Sequence, residues 1–297
     1  MDDFGVKYAT KAAADHLISV LRQPYETKID WTGTTYIGFT INFNRQQKTV
    51  TLSMPTYIAK VLERFVPTAT HDAASPAVYT PPSYGARCQM TNDDDSPPLT
   101  PAGAKRIQEL VGSLLFYARG ADVTILPTVN LLASLQSTPT QHVADVADRL
   151  QQYCSRYPNN EMVYHACDMT LFIQVDASYL SRSKARSAAG GICYLGNKDA
   201  PEHINGAIHA VKSIIPSVVA SAAEAEYAAL FMLAQEGEYL RRVLDNIGYP
   251  QTPTLIVCDN QCAVGLATNT VKAKRTKSTD MRYTTGYAIG LNKATSK

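Results

Sequence analysis

The chain has 297 residues, of which 45% are hydrophobic and 18% are charged, so it can bury a sizeable core and divide into two or three domains. The net charge of +2 excludes binding of nucleic acid through overall positive charge. No apolar run is long enough to cross a bilayer, and no secretory signal is expected at the start of the sequence. The six cysteines form no C-x-x-C pair, so we expect reduced thiols in a reducing compartment.

The first third of the sequence has an α+β pattern. Apolar residues at helical spacing predict an amphipathic helix over residues 12–21, which Pro24 ends. Two β-branched runs at 36–43 and 49–52 flank a polar loop and predict a hairpin. Ser53 is then the predicted N-cap of a helix over 57–65.

The middle of the chain changes character at a proline-rich stretch. Residues 66–101 hold repeated prolines and few large apolar side chains, which predicts a long exposed connection. Helical periodicity returns after it, and the predicted helices cover residues 104–119, 125–137 and 142–157.

The last third is typical of a mixed α/β unit. The predicted strands are residues 171–177, 190–195, 207–213 and 254–258, and the predicted helices are 218–247 and 261–268. A fifth strand is not visible in the pattern.

Acidic residues mark two of these strand ends and the long helix. Asp176 and Asp259 each end an apolar run, and Glu226 lies within the helical pattern. Carboxylates gathered from separate elements suit Mg²⁺, which takes hard oxygen ligands. Each acid also has an ordinary interpretation, because Asp176 suits a turn, Asp259 suits a helix N-cap, and a buried Glu226 can be satisfied by an arginine or a hydroxyl group.

The helical wheel separates two neighbouring glutamates. At about 100° per residue, Glu226 falls within the apolar stripe of the long helix, whereas Glu224 lies about 160° away. The wheel therefore predicts that Glu226 faces the sheet and Glu224 faces water.

Five short motifs in this half resemble the ribonuclease H domain of copia-type LTR-retrotransposon Pol polyproteins. They occur in the right order over about 110 residues. The motifs are Val175-Asp176-Ala177-Ser178, Ala188-Ala189-Gly190-Gly191, Glu224-Ala225-Glu226-Tyr227, Cys258-Asp259-Asn260-Gln261, and Arg275-Thr276-Lys277-Ser278-Thr279-Asp280-Met281-Arg282-Tyr283.

The resemblance implies a fold class and a division of the chain. It implies an α/β, ribonuclease H-like mixed sheet of about five strands over residues 167–297. It also implies a helical connection with its proline-rich linker over 88–166, and an α+β remnant of the reverse-transcriptase palm and thumb over 1–87. Asp2 and Asp3 are similar to the aspartate pair of the polymerase hairpin. A palm needs a third acid from an earlier strand, so no polymerase activity is expected.

The resemblance also implies an activity, which is Mg²⁺-dependent cleavage of the RNA strand of RNA–DNA hybrids. Two Mg²⁺ ions, with Mn²⁺ as an alternative, would be held by Asp176, Glu226, Asp259 and Asp280. The sequence departs from the family pattern after Asp280, because Arg282-Tyr283 is followed by Thr284-Thr285-Gly286 where the family usually has a histidine in a helix, so the last helix and the support of this fourth ligand are not predicted. The expected nucleic-acid contacts come from residues in two basic clusters and from one amide, namely Arg182, Lys184, Arg186, Lys274, Arg275, Lys277 and Asn260.

Two functions stay open on the sequence alone. The first is a nuclease that acts on an RNA–DNA hybrid, with no membrane and with the remainder of the Pol polyprotein as a partner, in cytoplasmic virus-like particles or the nucleus. The second is a truncated, non-catalytic transposon remnant that folds and at most binds nucleic acid. The basic clusters suit solvated loops equally well. Convergence of the acids would favour the nuclease.

Overall fold

The structure is a computed structural model that describes residues 4–67, 73–78 and 94–268, together with the backbone of 294–295. Asp2, Asp3, Lys274, Arg275, Lys277 and Asp280 lie outside the described residues. Within the described ranges, no helix is long and apolar enough to cross a membrane.

The first sheet is antiparallel and four-stranded, in the order β1-β2-β3-β4. The predicted hairpin is confirmed, with Ile41 opposite Leu52. Its first run is split because Ile37 and Gly38 both have positive φ, which ends one strand before the next begins. The strand β4 was not predicted. The elements are α1 (Lys11–Leu21), β1 (Thr35–Tyr36), β2 (Phe39–Asn44), β3 (Thr49–Ser53) and β4 (Glu161–His165).

Helix α2 (Pro55–Arg64) begins differently from the prediction. Ser53 remains in β3, opposite Thr40, and the N-cap residue is Met54, whose side chain makes no capping hydrogen bond. Pro55 takes the first helical position, where its missing N–H costs nothing.

Three helices follow, and the first and third of them pack against α2. These two begin at threonine caps, because Thr100 and Thr140 accept hydrogen bonds from the backbone N–H groups of Gly103 and Val143, whereas the second begins after Ile125 without a side-chain cap. Ile58 of α2 lies in one hydrophobic core with Leu114 and Leu150, so the elements on either side of the proline-rich stretch share that core. The helices are α3 (Pro101–Gly120), α4 (Leu126–Leu135) and α5 (Gln141–Arg156).

The second sheet has five strands in the order β7-β6-β5-β8-β9. β5, β6 and β7 form an antiparallel meander, whereas β8 is parallel to β5 and β9 is parallel to β8. This agrees with the mixed sheet of about five strands that the resemblance implies. The strands are β5 (Thr170–Arg182), β6 (Arg186–Gly196), β7 (Ala207–Ile214), β8 (Leu255–Cys258) and β9 (Ala294–Thr295).

One face of this sheet carries the long helix α6 (Ala222–Asn246), and α7 (Gln261–Ala267) follows β8. Alternate residues of β5, including Leu171 and Ile173, enter the core under α6. Gly237 allows this close approach, because an added Cβ would lie 2.4 Å from Ile173 Cδ1.

The opposite face of the second sheet meets the helices of the first half. The Asn130 side chain on α4 donates a 2.7 Å hydrogen bond to the carbonyl of Lys212 on β7. Ala210 of β7 joins the first core, and Ile192 of β6 packs against it. These contacts place α4 beside the sheet face that α6 leaves uncovered.

Candidate functional site

The three predicted acids that the structure describes come from three different elements at one end of the second sheet. β8 runs parallel to β5, with Val175 opposite Cys258. The next residue in each case is an aspartate, so Asp176 and Asp259 lie at the same level of the sheet, where β8 ends. Asp176 itself remains inside β5, which continues to Arg182, well past the predicted end of that strand at residue 177. Glu226 reaches this end from the second turn of α6.

Glu226 is the most buried of the three acids, with 7% of its surface exposed. Its Oε1 accepts a 3.1 Å hydrogen bond from the backbone N–H of Ala177, and its Oε2 lies 3.8 Å from the Cys258 thiol. Burial, reinforced by the charges of Asp176 and Asp259, raises the pKa of Glu226 to about 7. The carboxylate thus lies in a negative environment, and its hydrogen-bond partners among the described residues are a backbone N–H and a thiol.

Asp259 and Cys258 complete the group around Glu226. One ligand atom from each of Glu226, Cys258 and Asp259 lies within 4.8 Å of the others. Burial raises the pKa of the Cys258 thiol to about 11, so it is a neutral hydrogen-bond donor to Glu226. The oxygen atoms, and not this soft and protonated sulfur, suit Mg²⁺.

The N-cap of α7 decides between two interpretations of Asp259. The Asn260 side chain accepts a 3.1 Å hydrogen bond from the Ala263 N–H and caps the helix. Asp259 is therefore not the N-cap, and it is exposed to solvent. The side-chain oxygen of Asn260 therefore has a structural role as the helix cap. The predicted contact of Asn260 with nucleic acid stays a prediction.

The orientation predicted for Glu224 is wrong. Glu224 is 6% exposed and does not face water. It is the third residue of α6, and its Oε2 accepts a 2.8 Å hydrogen bond from the Ala220 N–H while Ser221 Oγ accepts one from the Glu224 N–H. This reciprocal capping folds the carboxylate back onto the start of the helix, an effect that the helical wheel does not include.

Asp176 is exposed and lines a cleft of about 540 Å³ between the sheet and the α4 side of the molecule. Its strand alternates so that Val175 faces α6, whereas Gln174 and Asp176 face the cleft. The lining comprises Val123, Leu126, Pro127, Gln174, Val175, Asp176, Gly190, Gly191, Ile192, Ala210, Val211, Lys212, Val257 and Asp259.

The first predicted basic cluster forms the tip of the β5–β6 hairpin. Arg182 ends β5 and faces Arg186 at the start of β6, and Lys184 at the tip has a φ of 59°. Lys184 and Arg186 are exposed, whereas Arg182 is half-buried. The Arg182 Nε is buried without a hydrogen-bond partner in the described part of the chain.

Lys212 is the residue near the site that sequence reasoning missed. It lines the cleft from β7, the edge strand of the sheet beside β6, and is half-buried. Its neighbours in sequence gave no signal, because its closeness to Asp176 follows from strand register and not from spacing along the chain.

The chain is distantly similar, over most of its length, to a known polyprotein. The sequence is 23% identical, over 247 residues, to the retrovirus-related Pol polyprotein from transposon TNT 1-94 of Nicotiana tabacum. The match covers 83% of this chain and 18% of that polyprotein, so the chain spans less than a fifth of its relative. No family model matches the sequence.

Two solved structures are similar to part of the chain. RNase H1 from the archaeon Halobacterium salinarum is 15% identical, with a TM-score of 0.28, and the match covers 43% of this chain and 86% of that one. LC11-RNase H1, isolated from compost, is 13% identical, also with a TM-score of 0.28, and the match covers 40% and 71% of the two chains. The predicted resemblance is confirmed at the level of sequence, and the chain is distantly homologous over most of its length to a retrotransposon Pol polyprotein.

Proposed function

We propose that this chain is a nuclease that cleaves the RNA strand of RNA–DNA hybrids and depends on Mg²⁺. The observation that carries the proposal is that Glu226 and Asp259 offer oxygen atoms within 4.8 Å of one another at the C-terminal end of β8. Asp176 lies outside that group, but it lines the same cleft as Asp259 and is near enough to Glu226 to help raise the pKa of that glutamate. The homology to a Pol polyprotein supports a phosphodiester substrate. In this proposal residues 167–297 are the nuclease domain, 88–166 the connection, and 1–87 a part derived from reverse transcriptase.

The donor set fits a hard divalent cation. Burial, and after it the charges of Asp176 and Asp259, raise the pKa of Glu226, and a bound cation would relieve the repulsion among these charges. Asp176, Glu226 and Asp259 would hold Mg²⁺ or Mn²⁺ through oxygen, with Asp280 as the proposed fourth ligand. When bound, two such ions supply activation of water and stabilisation of the leaving oxygen of a phosphodiester.

The remaining residues have positioning tasks in this mechanism. The Ala177 N–H and the Cys258 thiol hold the Glu226 carboxylate at the end of the sheet, so it needs little rearrangement. The exposed Lys184 and Arg186 extend past the site on the hairpin and would contact backbone phosphates without reading sequence.

The test is hydrolysis of a labelled RNA–DNA hybrid with Mg²⁺, comparing wild type with Asp176→Asn. We expect a fall in rate of about 100-fold or more, because loss of one preorganised charge at such a site has effects of this size. Asp199→Asn, an exposed acid in the β6–β7 loop, is the matched control and should cleave normally. A wild-type protein that binds the hybrid but does not cut it would favour the non-catalytic remnant instead.

A further inference from the structure

Three residues form a row across the meander of the second sheet. Asp176 of β5 is opposite Gly190 of β6, and Gly190 is opposite Lys212 of β7. Directly opposed residues in antiparallel strands point to the same face of a sheet. Asp176 and Lys212 therefore lie on the cleft face, separated by a residue without a side chain.

Gly190 makes room for the lysine side chain. A Cβ added at Gly190 would lie 3.3 Å from both Cδ and Nζ of Lys212. The lysine therefore extends across Gly190 in the direction of Asp176, and its ammonium group lies beside the middle strand. The Asn130 hydrogen bond to the Lys212 carbonyl fixes the position of this part of β7.

The ammonium group is held in the cleft without a close acidic partner. Among the described residues, no carboxylate lies within 4.0 Å of Lys212 Nζ, although Asp176 and Glu226 are near enough to affect its pKa. Arg182 is a second cation nearby, and its buried Nε lacks a hydrogen-bond partner within the described ranges. Cations held partly out of water are costly unless an anion accompanies them.

We propose that Lys212 is a phosphate-binding residue, which places a backbone phosphate of a nucleic acid next to the three carboxylates, and that Gly190 is required for this reach. This inference rests on the proposed function, because it places the substrate at the same site. The ammonium group of a lysine acts as a point charge toward phosphate and needs no fixed orientation. Arg182, on the hairpin side, would contact the same backbone.

The experiment measures binding of a fluorescent RNA–DNA hybrid in EDTA over a series of salt concentrations, so that no cleavage is needed. Loss of one phosphate contact should reduce the slope of log affinity against log salt by about 0.9. We expect this reduction for Lys212→Met and recovery of the slope in Lys212→Arg. The control is Lys198→Met, since this exposed lysine lies at the other end of the β6–β7 hairpin and should leave the slope unchanged.

Gly190→Ala tests the same idea without removing a charge. Its methyl group would displace the lysine, so we expect weaker binding and a smaller slope. If Lys212→Met does not fold by circular dichroism, Gly190→Ala decides the matter. A wild-type slope in folded Lys212→Met, or a wild-type slope with unchanged affinity in Gly190→Ala, would overturn the proposal. Lower thermal stability of Lys212→Met with an unchanged slope would make Lys212 an internal counterion only. Failure of the wild type to cleave would count against the nuclease, but not against this contact.

Discussion

Replacement of Glu226 by glutamine should stabilise the metal-free protein at high pH. The folded protein raises the pKa of Glu226 from 4.5 to about 7. The folded state therefore binds a proton more tightly than the unfolded state, and the free energy of unfolding of the wild type falls as pH rises between these values. Glutamine resembles the protonated carboxyl group and does not titrate, so the variant lacks this fall.

The magnitude follows from the size of the shift. At about 1.4 kcal/mol per pKa unit, the wild type loses up to about 3 kcal/mol between pH 4 and pH 8. The advantage of Glu226→Gln should be close to zero at pH 4 and should reach about 2–3 kcal/mol at pH 8. The Ala177 N–H keeps its acceptor, because the glutamine side chain retains one oxygen.

The assay is urea unfolding in EDTA at several pH values, followed by the same series with Mg²⁺. Added Mg²⁺ should stabilise the wild type at pH 8 more than the variant, because a metal ligand must be deprotonated. Glu238→Gln is the matched control, since Glu238 lies on the same helix in an exposed pair with Arg242 and should show no such pH dependence. A pH-independent difference, or destabilisation by Glu226→Gln at pH 8, would refute the assignment of a strained, buried carboxylate.

Two further predictions concern packing and reactivity. Gly191→Ala should destabilise the protein by about 1–3 kcal/mol in denaturant titrations, because its Cβ would lie 2.5 Å from the Gln174 carbonyl oxygen and 2.9 Å from Leu233 Cγ. Gly112→Ala should instead stabilise the protein by about 0.5–1 kcal/mol, because Gly112 lies inside α3 and no atom lies within 4 Å of the new methyl group. Equal effects of the two substitutions would contradict the packing around Gly191. Cys258 should be alkylated far more slowly than the exposed Cys262 at pH 8, since it is buried and its thiol pKa is raised to about 11. Peptide mapping by mass spectrometry after brief iodoacetamide treatment measures this, and labelling of Cys258 first would show that the thiol is an accessible thiolate.

The sequence by itself determined most elements of the second sheet and three of its acids. The apolar runs before Asp176 and Asp259 carry their own signal, because neighbouring parallel strands bring the residues that follow such runs to the same level of a sheet, although β5 continues past Asp176 to Arg182. The stripe on α6 likewise placed Glu226 against the sheet, since burial of an apolar face follows helical periodicity. The five motifs added the family relationship that the 23% identity bears out.

Other features were decided only by tertiary structure. Helical periodicity gives the direction of each side chain around the helix axis, but not which parts of the protein cover that side. It therefore could not predict that the Glu224 carboxylate is buried by capping the start of its own helix. Strand β4 joined the first sheet through Val163 opposite Thr51, a pairing over more than a hundred residues that no local pattern encodes. Lys212 comes near Asp176 only because the register of two strand pairs aligns both residues with Gly190. Register is set by the packing of whole strands, so the closeness of Lys212 to Asp176 follows from the fold and cannot be read from their spacing along the chain.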